Sequence, residues 1–282
     1  MDKKKLGAYL IYAITAVFVI ITVFVCFKVK TINDFLTSIE NKTFDIRQNI
    51  QMKSRKDKIS KDIVILAIDD ASYEYLHEKY GEWPIPRGVY ADLVNYIEKQ
   101  NPKAIAFDLM FVKSMKSSLN DDKKLIEAIT KNDNVYTSMN FDNQPSDVRL
   151  PAKLDSKFEA EMINNSKIDF SDITFTNCRT IMPQLMEGTA NIGMTNVSRS
   201  SDGVLRKVPP VMVYQDKYYP HLALLAASKL TGTDEKAYKI DSAGNLVIGT
   251  KKIPLDRDGG AILNWYGTAD DSFTVIPIYK VI

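Results

Sequence analysis

Cysteine and histidine are scarce in this chain of 282 residues, with two of each. Cys26 sits inside an apolar run and Cys178 lies far along the chain, so no disulfide framework is expected. Only His77 and His221 accompany them; no cluster has metal-ligand spacing, and neither a metal nor a cofactor is expected. A glycine-rich phosphate loop is missing as well, since Asp258-Gly259-Gly260 is a turn with no following Lys-Ser/Thr. No Gly-x-Ser-x-Gly elbow is present. Basic charge is also short after the first sixty residues. Residues 1–60 carry eleven Lys/Arg against five Asp/Glu, a balance of +6, which leaves −4 of the formal +2 for the rest. A mildly acidic folded portion argues against nucleic acid as a partner, because that surface selects a basic face.

What is present begins with a single long apolar run. Leu6 to Phe27 contains no charge. A helix over it would rise roughly 33 Å at ~1.5 Å per residue, against a hydrocarbon core of ~30 Å. Phe24, Cys26, Phe27 and Lys28 at its end are unlike the small residues of a signal-peptide cleavage site. The sequence therefore predicts a cytoplasmic tail at 1–5, an uncleaved transmembrane helix at 6–27, and everything beyond on the outer side of the cell membrane.

Residues 28–61 lack Gly and Pro. Ile32, Phe35, Leu36 and Ile39 recur there at helical spacing, which predicts a stalk helix. That stripe either packs on its own domain or pairs with a second copy as a homodimer. The basic run from Lys53 to Lys61 reads as a solvated linker.

Residues 62–282 read as one α/β domain. Ile63 to Ile68 is a continuous apolar run closed by Asp69 and Asp70, the pattern of a strand buried on both faces. A helix follows Pro86, with Tyr90, Leu93, Val94 and Ile97 on one side. A strand over Lys103 to Phe107, a helix over Asp121 to Lys131 and a strand over Val135 to Met139 come next. That alternation implies parallel crossovers and a three-layer sandwich with a mainly parallel central sheet. Residues 142–188 read as a long insertion with a helix around Phe158 to Ile163. Ala190 to Val197 is a strand, and Asp202-Gly203 a hairpin turn before short strands at Val204 to Val208 and Val211 to Tyr214. A helix from Pro220 to Leu230 stops at Gly232.

In an open parallel sheet, ligands bind beyond the carboxyl ends of the strands. Those ends present Asp69, Asp70, Ser72 and Asp108, with Trp83 and Arg87 on the same rim as a stacking face and an anion fork. The expected ligand is a small molecule, polar or anionic, with room for a divalent cation between the carboxylates. The competing account is that the carboxylates cap turns while Arg87 neutralises Asp69 or Asp108. Arg206 is a further candidate contact, or else a cross-strand partner for an acid.

Six motifs in order carry a family resemblance. They are Phe44-Asp45-Ile46-Arg47, Ile68-Asp69-Asp70-Ala71-Ser72, Trp83-Pro84-Ile85-Pro86-Arg87, Ile105-Ala106-Phe107-Asp108-Leu109-Met110-Phe111, Asn191-Ile192-Gly193-Met194-Thr195-Asn196-Val197 and Asp202-Gly203-Val204-Leu205-Arg206. Together they resemble the CHASE type 2 domain, a bacterial extracytoplasmic sensory domain of membrane receptors. The resemblance implies a non-catalytic sensor joined, in a longer parent, to an adenylate or guanylate cyclase, a histidine or serine/threonine kinase, or a diguanylate cyclase. Measured against that family's plan, the chain is expected to be truncated at its C-terminus. Two other readings stay open. One is a Mg-dependent phosphohydrolase, although Asp69-Asp70-Ala71-Ser72 lacks the second carboxylate of an Asp-x-Asp end. The other is a ligand-free dimerising ectodomain.

Overall fold

Two helices open the chain, α1 (Lys3–Lys28) and α2 (Lys30–Arg55). The second ends on Lys53 and Arg55, cations that suit the negative end of a helix dipole. The computed structural model describes residues 3–28, 30–55, 58–81, 83–114, 118–144, 150, 168–179, 181–233 and 238–282. They form two compact units, Met1–Val64 with Asn264–Thr274, and Ile65–Leu263 with Val275–Ile282. Among the described residues no helix is long and apolar enough to cross a membrane, which corrects the predicted span over residues 6–27.

After the helices the chain runs β1 (Val64–Ala67), α3 (Asp70–Tyr80), α4 (Gly88–Glu98), β2 (Ile105–Ala106), α5 (Leu119–Thr130) and β3 (Val135–Asp142). It continues through β4 (Thr174–Phe175), β5 (Asn177–Arg179), α6 (Pro183–Gly188), β6 (Ile192–Met194), β7 (Lys207–Val208), β8 (Val211–Tyr214), β9 (Lys217–Pro220) and α7 (Leu222–Thr231). The last elements are β10 (Lys239–Ile240), β11 (Asn245–Ile248), β12 (Lys251–Pro254), β13 (Ala261–Ile262), α8 (Ala269–Ser272) and β14 (Thr274–Pro277). The predicted helix at 158–163 lies outside the described residues.

The larger unit is organised around β3. It runs parallel to β2, with Ile105 opposite Val135, and parallel to β6, with Ser138 opposite Gly193. Its far end pairs antiparallel with β5. Alternation along a strand sends side chains to opposite faces, and β3 uses both. Val135, Met139 and Phe141 join the main core with Leu93 and Val94 of α4 and Leu125 and Ile129 of α5, while Tyr136 packs with Leu222 and Leu225 of α7. Gly193 makes the second packing possible. A Cβ there would lie 2.4 Å from the Leu222 Cα, so only glycine lets the start of α7 rest on the strand.

The single, mainly parallel sheet expected from the sequence is not what forms; the fold is mixed α/β with several small sheets. β1 pairs with β14 and not with β2. The run Ile63 to Ile68 looked buried on both faces, yet Ile63 and Val64 are exposed. The turn at Asp202-Gly203 forms, with the Gly203 N–H donating to the Ser200 carbonyl at 2.8 Å, but β6 and β7 on either side of it do not pair as a hairpin. β6 lies on β3, and Pro209 and Pro210 separate β7 from β8, since proline cannot donate to a ladder. Instead β7 pairs with β13, and β8 turns through Gln215 and Asp216, both at positive φ, into β9.

Candidate functional site

The predicted site residues fall into separate environments. Asp69 caps α3, accepting from the Ser72 N–H at 2.8 Å. The bonds from Ser72 hold its carboxyl below the usual carboxylate range. Ser72 is buried, its hydroxyl near the Ala67 carbonyl at 3.4 Å. Asp70 is exposed in the first turn. The half-exposed Trp83 rests on Tyr73, ring centroids 5.1 Å apart, and Tyr73 stacks on His77. Four of the seven candidates therefore gather at the start of α3.

Arg87 is not with them. It is 8% exposed and pairs with Asp122 at 2.7 Å, neither with Asp69 nor with Asp108. The same guanidinium touches the Met182 sulfur, donates to the Lys113 carbonyl and lies over the Phe111 ring. This ion pair joins the first turns of α4 and α5, the two helices on one face of β3. Arg206 is buried too, with both ends of its fork on Asp202 at 2.9 and 2.7 Å.

That fork holds Asp202 down from its usual 3.8 to about 2. A carboxyl whose folded pKa is depressed adds stability above its unfolded pKa and loses it as pH falls through the folded value. Acid unfolding is therefore expected to steepen between about pH 4 and pH 2, and Arg206→Ala should weaken that dependence. Melting temperature against pH for the two proteins checks this; superimposable acid limbs would refute it.

At the carboxyl edge of β2, β3 and β6, Asp108 is exposed and its charge favours protonation of His221, while burial of the ring pushes the His221 pKa down more strongly. His221 caps α7 through Nδ1, accepting from the Ala223 N–H at 3.2 Å. Asn196 mimics a backbone peptide there: its Oδ1 accepts from the Phe141 N–H at 2.8 Å and its Nδ2 donates to the Phe141 carbonyl at 2.7 Å. The late Asn of that sequence motif is thus structural. Among the described residues no three His, Cys, Asp or Glu side chains come together as a metal site. Cys178 is buried, and burial pushes its thiol up, the wrong direction for a nucleophile.

The opposite edge holds a groove of about 660 Å³. The ends of α4, α5 and α7 converge on it with the residues leading into β2 and β3. Glu98, Asn101, Lys103, Lys131, Asn134 and Lys229 are on its wall. The Glu98 Oε1 is buried without a hydrogen-bond partner among the described residues. Lys229 pairs with Asp133 at 2.9 Å, whereas Lys103 and Lys131 make no ion pair among the described residues. Three helix C-termini add partial negative charge. Sequence reasoning missed this groove because it looked to the carboxyl ends of strands. The available signal was that 98–103, 131–134 and 229–232 are polar turns, but only the pairing of β2 with β3 brings them together.

The family model described as the CHASE2 domain matches residues 15–282. The chain belongs to the CHASE2 domain family. CHASE2 domains are sensory, non-catalytic and extracytoplasmic modules of membrane proteins, in keeping with the six sequence motifs. No curated protein and no solved structure matches the chain.

Proposed function

We propose that this CHASE2 chain is the sensory segment of a membrane receptor that binds a small polar molecule and passes the event to an output of cyclase or kinase type carried elsewhere. The observation that supports a ligand site most directly is the groove at the ends of α4, α5 and α7. Its volume is in the usual range of about 300–1,000 Å³ for small-molecule sites. Its chemistry is two-signed. Glu98 and the helix ends suit an ammonium group, while Lys103 and Lys131 suit a carboxylate. A free α-amino acid carries both groups. Thermal melting of the protein with a panel of free amino acids tests the reading. At 100 times its Kd, a ligand stabilises by about 2.7 kcal/mol, or roughly 5–11 °C for a domain of this size. Glu98→Gln and Lys131→Ala should remove that shift without lowering the melting temperature of the unliganded protein. An unchanged melting point across the panel would rule out this ligand class.

A second reading keeps the ligand at the start of α3, among Asp69, Asp70, Ser72 and Trp83, and leaves Asp108, Arg87 and Arg206 outside the site. It is favoured by the exposed Trp83 ring seated on Tyr73. A shift lost in Trp83→Ala and retained in the groove variants would select it.

A further inference from the structure

The start of α7 is held by an unusual cap. Helix N-caps are ordinarily Ser, Thr, Asp or Asn, none of which changes charge near neutral pH. Here the cap is His221, whose backbone is extended and whose Nδ1 accepts from the Ala223 N–H at 3.2 Å, at an exposed position. The next two amides have a main-chain partner, since the Leu224 and Leu225 N–H groups donate to the His221 carbonyl at 2.9 and 3.2 Å. Because Nδ1 accepts, the neutral ring carries its proton on Nε2, and that nitrogen is buried with no hydrogen-bond partner among the described residues. The main chain of His221 is pinned separately: its N–H donates to the Pro210 carbonyl at 2.8 Å, and the residue bridges to Met194 of β6. The first turn that follows rests on β6 at Gly193.

Both ring nitrogens therefore oppose a second proton. Taken from solvent, it would have to enter at Nδ1 and occupy the lone pair that the Ala223 N–H uses, so the cap would be lost. The imidazolium would also set a positive charge on the positive end of a helix dipole and leave a buried Nε2–H unmet. The elements packed around the ring offset this only in part. Asp108, exposed after β2, is the charged group that favours the proton. β3 presents Tyr136, packed on Leu222, and Ser138, fully buried opposite Gly193 with an unpartnered hydroxyl. β6 presents Met194, and β9, which leads into the cap, presents the buried Tyr219. The basic residue of α7 is Lys229, in its last turn and paired with Asp133. We propose that His221 is a proton-operated latch, in which protonation at Nδ1 frees the first turn of α7 from β6, a device separate from the groove. Burial of the ring pushes its pKa down, and this sets the window. A released histidine titrates near about 6.5, so the latched form loses ground as pH falls below that value, because the released form then binds more protons. The response is thus set apart from the acid limb assigned to Asp202.

Hydrogen exchange of the full chain, read by mass spectrometry on peptides covering Leu222–Leu225 and on α4 as a control, tests the latch. Between about pH 7.5 and about pH 5 the protection of the α7 peptide, corrected for the intrinsic rate, should fall about 10- to 30-fold, while α4 stays protected. His221→Asn and His221→Ser, which cap without a titrating ring, should hold their protection across that range. His221→Ala, with no cap at all, should already be open at the higher pH. Unchanged protection in the wild type, an equal fall in α4, a fall that persists in both capping variants, or full protection in His221→Ala would overturn the proposal.

Discussion

Arg87→Ala should lower the melting temperature of the protein by about 6–20 °C. The guanidinium and the Asp122 carboxylate are both almost wholly buried, and removing one member strands the other charge without solvent. Breaking such a pair costs about 3–5 kcal/mol. For a domain of this size each kcal/mol corresponds to about 2–4 °C. Asp122→Ala should do comparable harm. Arg87→Met combined with Asp122→Leu should recover much of the loss, because two apolar groups of similar volume leave no buried charge. Calorimetry of the three variants decides the matter. A single variant that melts within a degree or two of the wild type would mean that the pair is not desolvated in solution. Such a result would restore Arg87 as a candidate ligand contact.

Gly193→Ala is expected to cost about 3 kcal/mol, the upper end for overpacking a core, or roughly 6–12 °C. The added methyl would meet the Leu222 Cα at 2.4 Å and its backbone nitrogen at 2.8 Å. Side chains can rotate away from an intruder, but the first turn of α7 would have to lift off β6. Trimming Leu222 to Ala should therefore fail to rescue Gly193→Ala, since the atoms in conflict belong to the main chain. Rescue by that second substitution would show instead that the conflict is with the leucine side chain.

The helices were largely legible in the sequence. Tyr90, Leu93, Val94 and Ile97 announced α4, and Gly232 ends α7 in the left-handed conformation foreseen for it. These signals are local, and helix bonds close within four residues. Strand partners were much less legible. Nothing in Val64–Ala67 tells that its neighbour is more than two hundred positions away in β14. The candidate site inherited that error, because placing Asp69 beside Asp108 depended on β1 lying next to β2. Arg87 was picked out as unusual, and it is, but its partner Asp122 sat inside a run read only as a helix. The membrane span was read from hydropathy alone and is not sustained among the described residues. Family membership was legible for another reason: it depends on the order of short motifs and not on which strands meet.

The Asn196 amide that brackets Phe141 also bears on folding fidelity. Strand side chains alternate, so sliding β6 by one position along β3 turns every one of them over. A slipped β6 would aim a side chain at α7 where Gly193 leaves room for none, and would carry the Asn196 amide out of reach of Phe141. One penalty, steric, falls within the three-residue strand and the other, from unmet polar groups, falls two residues beyond its end. A strand this short has few ladder bonds to choose its own alignment, so these two residues single out the observed register among the alternatives.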